Sequence, residues 1–353
     1  MSVRRIAKLA GVSPCTVSLS LHNSPKIPEA TKQRVLKIAR RIGYKPNAKI
    51  AELMAQMRLK RSPEREACLG VFSFYDTIRP WEGAVHLSRI YSGMTERAEA
   101  LGYRLEPLWL KAPGMTPQRF RRILDARGIQ GLLCFGSPNL HDEIPAELDH
   151  YAIVTQGVSI KTPLHRVATH AYNDMWRALR KVRELGYRRP GVVIGEYEGV
   201  RSAHAYLSAY LGWCQVELGA PPPVPVLQLT NVEEDRFVAW FRHHAPDVIV
   251  FAHHYKALPA LERLLQDQCI RAPEDVGIVA VTQVLDGTPF SGLQANPHLV
   301  GACAVEMVVA RIMNGHFGIP EHPRIEMVEM DWIPGKTLRE PATRAALGKR
   351  TTN

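Results

Sequence analysis

No run of apolar residues in this 353-residue chain approaches the roughly 18 that a membrane-spanning helix needs. Apolar stretches such as Val248–Ala252 and Val276–Val281 have only the length of a strand. Arg4 and Arg5 have no apolar segment behind them, so the amino terminus does not read as a secretory signal, and a cytoplasmic protein is expected. Closely spaced cysteines are missing too. Cys15, Cys68, Cys134, Cys214, Cys269 and Cys303 lie far apart with no C-x-x-C, which argues against a disulfide framework and predicts buried or half-buried free thiols. Catalytic signatures are absent: there is no G-x-S-x-G elbow, no P-loop and no correctly spaced G-x-G-x-x-G, and Gly195 to Gly199 does not supply one. His243-His244 and His253-His254 are adjacent pairs, which point to opposite faces of a strand, and no H-E-x-x-H accompanies them. We therefore expect no enzyme, no cofactor and no metal site.

Surplus charge is also missing from most of the chain. All of the net +11 resides in residues 1–66, where fifteen Lys and Arg face only Glu29, Glu52, Glu64 and Glu66; from residue 67 onward, acids and bases balance. A compact cationic head on a neutral body points to a polyanion-binding module carried by a domain with another task. Hydrophobic content of 46% and charged content of 22% fit a globular protein long enough for two or three domains.

The head reads as short helices. Val3, Ile6, Ala7 and Ala10 recur at the spacing of one helix face, and Gly11 breaks the pattern with a residue suited to positive φ. Ser13 then stands as an N-cap with Pro14 at the first helical position, opening a second helix to about Leu21. His22–Pro28 reads as a loop, Glu29–Ile42 as a third helix ended by Gly43, and Ala48–Leu59 as a fourth helical stretch rich in Ala, Leu and Met. Two helices joined by a glycine turn have the dimensions of a helix-turn-helix, whose second helix enters the major groove by its first turn. A three-helix bundle without DNA is the alternative, and the concentrated positive charge argues against it.

From Cys68 onward, short apolar strands alternate with helices. Strands are expected at Cys68–Phe74, Tyr103–Leu110, Gly131–Phe135, Tyr151–Thr155, Gly191–Ile194, Val224–Leu229, Val248–Phe251 and Val276–Val281. Helices are expected at Val85–Leu101, Pro117–Ala126, Tyr172–Leu185, Ala203–Leu218, Glu233–His243, Ala257–Gln268 and Leu299–Asn314. This grammar predicts doubly wound parallel sheets, too many strands for one sheet, and hence two α/β lobes. The expected domains are 1–47, a hinge and linker at 48–66, a two-lobed body at 67–338, and a polar tail at 339–353.

The order Ile6-Ala7-x-x-Ala10-Gly11-Val12-Ser13-x-x-Thr16-Val17-Ser18, followed by Tyr44-x-Pro46-Asn47, resembles the lactose-repressor/galactose-repressor family of bacterial transcription factors. Glu184–Pro190, Pro246–Ala252 and Pro273–Val276 resemble the strand signatures of its body, so the likeness spans about residues 2–335. It implies an all-α helix-turn-helix head and a body like periplasmic sugar-binding proteins, with a ligand cleft between two lobes. DNA contacts are implied for Ser2, Ser13, Thr16, Ser18, His22, Tyr44 and Asn47, and base-edge contacts for Pro14, Cys15, Leu19 and Lys26. Ala48–Leu59 matches the hinge helix, with Leu53 the minor-groove wedge; such a wedge unstacks a base step and kinks the duplex.

The departures carry information. Leu19 replaces a polar or basic residue, which removes a bidentate Arg–guanine contact and favours thymine methyls and A·T-biased half-sites. Pro28 replaces the common Ser cap of the third helix, and Arg58, Lys60 and Arg61 lengthen the hinge. In the body, His253-His254 replaces an Asn-Asp pair, Thr282 followed by Gln283 replaces a late Asp, and His170 replaces another. Arg201 matches a ligand arginine, offset by about one residue. A cleft of Arg201, His253, His254, Thr282 and Gln283 would take a sugar derivative and tolerate anionic groups. The expectation is a homodimeric, operator-binding regulator, with Tyr91–Leu101 at the dimer surface and a small-molecule effector. The alternative is an architectural DNA binder with a degenerate cleft.

Overall fold

The computed structural model describes residues 3–21, 27–44, 67–140, 142–283 and 288–340; at Arg4 and Gln283 only the backbone is described. The hinge helix expected at Ala48–Leu59, with Leu53, lies outside them, as do Ser2, His22, Lys26, Asn47 and the tail beyond Glu340.

Among the described residues, the head has three helices: α1 (Val3–Ala10), α2 (Pro14–Leu21) and α3 (Glu29–Arg41). Ile6, Ala7, Ala10, Val17, Val35 and Ala39 are its buried core, with Val3, Val12, Leu21, Ile38, Ile42 and Tyr44 packed around them. The spacing that predicts α1 also supplies that core, since residues three and four apart share one helix face.

The other described residues fold around two six-stranded sheets. The first takes β1 (Ala67–Phe72), β2 (Tyr103–Pro107), β3 (Gly131–Cys134), β4 (Ala152–Gln156), β5 (His165–Thr169) and β11 (Ile325–Val328), in the order β11-β5-β4-β3-β1-β2. The second takes β6 (Pro190–Gly195), β7 (Leu227–Leu229), β8 (Val248–Ala252), β9 (Gly277–Gln283), β10 (Ser291–Gln294) and β12 (Asp331–Ile333), in the order β12-β10-β9-β8-β6-β7. Each has a strand from which the order runs both ways, β1 in the first and β6 in the second, so each has a topological switch point. The neighbours of both are parallel, and β12 joins β10 antiparallel.

Two compact units result. Residues Met1–Ala168 and Pro297–Glu326 make one, Thr169–Asn296 and Met327–Asn353 the other. In the first, α4 (Val85–Ala100) crosses α11 (Pro297–Asn314) with backbones almost touching. A Cβ added at Gly301 would lie 2.0 Å from the Ile90 carbonyl oxygen, and one at Gly93 1.9 Å from that of His298. The same unit holds α5 (Pro117–Arg127). The second unit holds α6 (Ala171–Glu184), α7 (Glu196–Arg201), α8 (Ala205–Trp213), α9 (Glu234–His244) and α10 (Leu258–Asp267). Its central strands are apolar throughout because both faces are covered. Val192, Ile194, Val248 and Val250 pack on one side, Val193, Ile249 and Phe251 on the other.

Several expectations need correction. The helix expected at Ala203–Leu218 is present but starts two residues later, and the short helix α7 before it was not expected. Ala203 and His204 take φ of 50° and 58°, α7 precedes them, α8 follows, and Cys214–Leu218 is a π turn. The strand expected at Val224–Leu229 forms only over Leu227–Leu229. β5, β10, β11 and β12 were not expected; all four are edge or next-to-edge strands, and the edge strand Ile325–Val328 has three of its residues exposed. Cys15 and Cys269 are exposed rather than buried, although all six thiols are free. Among the described residues, no helix is long and apolar enough to cross a membrane.

Candidate functional site

The surface that α2 presents follows from its cap and its core. The Ser13 hydroxyl accepts the Thr16 backbone N–H at 3.1 Å and bonds the Thr16 hydroxyl at 2.9 Å, so the helix starts at Pro14. Ser20 bonds back to the Thr16 carbonyl at 2.7 Å and, with Val17, is buried against α1 and α3. That leaves Pro14, Cys15 and Ser18 exposed at the amino-terminal end, with Thr16 and Leu19 half-buried beside them. Gly11, at φ 63°, makes the turn that sets α2 against α1, and the Val12 N–H closes it on the Ala7 carbonyl at 3.1 Å. Tyr44 is half-buried on the head core, its N–H bonded to the Ala39 carbonyl at 2.9 Å. Six of the residues expected at DNA (Ser13, Pro14, Cys15, Thr16, Ser18 and Leu19) thus share one end of one short helix, and Tyr44 lies apart from it in the chain that follows α3.

A second constellation lies in the second unit, at the carboxyl ends of β6, β8 and β9, beside the switch strand. His253 follows β8 directly and is buried, its ring stacked 5.6 Å from Phe251. Its Nδ1 accepts the His254 backbone N–H at 2.8 Å, which leaves Nε2 to carry the proton. Thr282, near the end of β9, donates its hydroxyl to the His253 carbonyl. Glu198, in α7, brings a carboxylate oxygen to 3.8 Å from His253 Nδ1; the side chains are only 10% and 7% exposed. Gly195 leaves room for this pairing, because a Cβ there would sit 2.2 Å from the Glu198 carboxylate and 3.0 Å from the His253 ring and the carboxylate would have to move.

The polar inventory does not close. Glu198 Oε2 and His253 Nε2 are buried with no hydrogen-bond partner. Burial pushes the Glu198 carboxyl up, against the pull of His253 and Arg201. Burial likewise pushes His254 down to about 4, with Lys256, Arg201 and His253 adding to it, so that ring is neutral near pH 7. Its Nδ1 accepts the Lys256 N–H at 3.3 Å, capping the turn at Tyr255–Ala257, which ties it to a local structural task. Arg201 ends α7 with its guanidinium 6.0 Å from the Tyr197 ring centroid. Gln283 ends β9. His170 caps α6 through its ring nitrogen, which accepts the Asn173 N–H at 3.2 Å.

Sequence reasoning missed Glu198, and the signal was weak: one of two acids after a strand, in a segment expected to be loop. It missed Asp174 as well. This residue is fully buried in the first turn of α6, accepting the Met330 N–H at 3.2 Å while its other oxygen has no partner. Arg177 reaches the Met330 carbonyl at 2.8 Å and Asp174 at 3.4 Å, so the start of α6 clasps the segment before β12. In the first unit, the corresponding carboxyl edge carries aromatic rings: Trp81 stacks on Tyr91 at 3.9 Å, with Phe135 edge-on at 5.4 Å.

Residues 2–47 match the family described as bacterial regulatory proteins, lacI family, and residues 179–338 match a periplasmic binding protein-like domain. The HTH-type transcriptional repressor PurR of Haemophilus influenzae (strain PittGG) is 20% identical over 342 residues, which cover 92% of this chain and 95% of that protein. The HTH-type transcriptional repressor CytR of Escherichia coli (strain K12) is 23% identical, covering 90% and 91%. Among solved structures, the lac repressor dimer bound to operator and the anti-inducer ONPF shares the fold with a TM-score of 0.56 at 15% identity, covering 96% of this chain and 99% of that one.

Proposed function

The chain belongs to the lacI family of bacterial regulatory proteins, and from that premise we propose that it is a cytoplasmic, homodimeric transcriptional regulator whose hold on operator DNA is set by a small molecule. The carrying observation is the exposed first turn of α2, which offers Pro14, Cys15 and Ser18 from a helix locked by the Ser13 cap and the Val17 core. One side of the helix holds the head together, and the other, with Pro14, Cys15 and Ser18, is exposed. Exposed cations on α3, such as Arg34, Lys37, Arg40 and Arg41, supply the charge that phosphate binding needs. Roles for Ser2, His22, Lys26, Asn47 and the wedge Leu53 rest on the family resemblance.

The effector site is assigned to the carboxyl edge of β6, β8 and β9, with Glu198 and His253 at its floor and Arg201, His254, Thr282 and Gln283 around it. A ligand hydroxyl both donates and accepts, so a carbohydrate-derived molecule can satisfy the orphaned Glu198 oxygen and the orphaned His253 N–H together. Arg201 admits an acidic group on the same molecule. Effector and operator then affect each other's affinity equally, because linkage is reciprocal.

Selection of duplexes from a random pool, followed by fluorescence anisotropy with the full-length chain at several salt concentrations, tests the DNA half. Affinity should fall steeply with salt; failure to bind any duplex in dilute buffer would refute the reading. Calorimetric titration with a panel of sugars and sugar acids, with and without the selected duplex, tests the effector half. A ligand that binds must shift duplex affinity by the same factor by which duplex shifts its own. Absence of any binding in the panel and any shift would favour a purely architectural DNA binder.

A further inference from the structure

Four basic groups gather at the amino edge of the first sheet, and among the described residues none of them has a carboxylate partner. Arg311, in the last turn of α11, is only 2% exposed. One of its terminal nitrogens donates to the Gly318 carbonyl at 2.7 Å, while its Nε is buried without an acceptor. His165, the first residue of β5, is buried too, and its Nδ1 accepts the Arg324 backbone N–H at 2.8 Å, which leaves its second nitrogen as a donor. His316 and Arg324 are exposed, and the His316 N–H is bonded to the Arg311 carbonyl at 2.9 Å. Burial and the neighbouring charges of Arg311, Arg324 and His316 hold the His165 ring well below its usual range, at about 4.

A guanidinium taken out of water is stable only when its charge and its donors are matched. Among the described residues, no carboxylate pairs with any of the four. Glu326, on the same strand segment as Arg324, is turned to the Cys303 thiol, and Asp149 is paired with His150 at 3.1 Å. The site is therefore one anion short. Its place in the fold is also specific. After α11 the chain doubles back so that the Gly318 N–H meets the Tyr151 carbonyl, just before β4, and Arg324 immediately precedes β11. These are the starting ends of the strands, and β1, the strand that follows residues 45–66, starts at the same edge.

We propose that this edge binds a phosphoryl oxyanion, seated on Arg311 and His165 and held at its mouth by His316 and Arg324. The planar guanidinium suits the fork geometry of phosphate, and two exposed basic side chains can follow the ligand in. The phosphoryl group belongs either to a free phosphorylated molecule or to the backbone of duplex DNA.

Inorganic phosphate titrated into the full-length chain, followed by calorimetry and phosphorus NMR line width, tests the site. The wild type should bind it saturably, and the double variant Arg324→Ala/His316→Ala should bind at least about tenfold more weakly. Both changed side chains are exposed, so the fold is retained; circular dichroism checks that, and Arg311→Lys, which keeps the charge but not the fork, should fall between. A random-sequence duplex separates the two sources. If the backbone is the ligand, the slope of log affinity against log salt should shrink by about one to two in the double variant. If a free molecule is the ligand, the slope stays the same while phosphate binding is lost. Equal phosphate binding by wild type and double variant, with equal salt slopes, would overturn the proposal.

Discussion

Replacing Asp174 by Asn removes a titration from the second unit, and its size follows from where the residue sits. The carboxyl is fully buried at the start of α6, and burial pushes it up to about 6, against the Met330 N–H and Arg177, which both favour the ionised form. In an unfolded chain the same group titrates at about 4. A carboxyl raised on folding contributes stability that is complete below the unfolded value and lost as pH rises through the folded one, so the protein weakens between about pH 4 and about pH 6. The whole effect is about 3 kcal/mol, of which about 1.4 kcal/mol falls between pH 8 and pH 5. Asn keeps the acceptor for Met330 but cannot ionise. Asp174→Asn therefore carries some constant offset, from one buried amide without a full set of partners, and loses the pH-dependent part. Hydrogen exchange of α6 peptides, compared between wild type and variant at the same pH, reads this without requiring the whole chain to unfold in one step. The ratio of wild-type to variant protection should be about tenfold greater at pH 5 than at pH 8. A ratio independent of pH would refute the argument that this carboxyl is held protonated by burial.

Gly301→Ala should lower the stability of the first unit by about 2–4 kcal/mol despite alanine's better helix propensity, because its Cβ meets the Ile90 carbonyl at 2.0 Å and α4 and α11 must part; thermal unfolding measures it. Ser13→Ala should destabilise the head by about 1 kcal/mol and weaken duplex binding, whereas Ser13→Asn should restore the cap and much of the stability, read by circular dichroism of α1–α3 and by anisotropy. Gly195→Ala should displace Glu198 and abolish the effector's influence on duplex affinity while leaving affinity without effector unchanged. Duplexes selected from a random pool should be A·T-biased under Leu19, and a strongly preferred G·C pair there would exclude apolar readout by that residue.

Periodicity and punctuation made much of this molecule legible. The i, i+3, i+4, i+7 spacing of Val3, Ile6, Ala7 and Ala10, the Gly11 break and the Ser13-Pro14 start locate α1 and α2, because these signals are local: they depend on residues within one or two turns. The central strands were equally plain, since both their faces are buried and their apolar runs, such as Val248–Ala252, have no other use. Edge strands such as β11 and β12 were not, because a strand with one exposed side and mixed polarity looks like a loop. The late start of α8 was hidden for a related reason: Ala203 and His204 take positive φ although neither is a breaker, with their N–H groups closed back on the Val200 and Gly199 carbonyls of α7.

The chain's own order of residues determined that a cationic helical head precedes a neutral α/β body, and which face of each early helix is buried. Tertiary structure alone decided which polar groups meet: Glu198 with His253 across 55 positions of sequence, Asp174 with Met330, and Arg311 with His165 and Arg324, with no carboxylate partner among the described residues. The reason is that a side chain's hydrogen-bond partners and dielectric surroundings are set by strand order and helix crossings, which link distant segments. Hydrophobic periodicity records only how each segment meets the core.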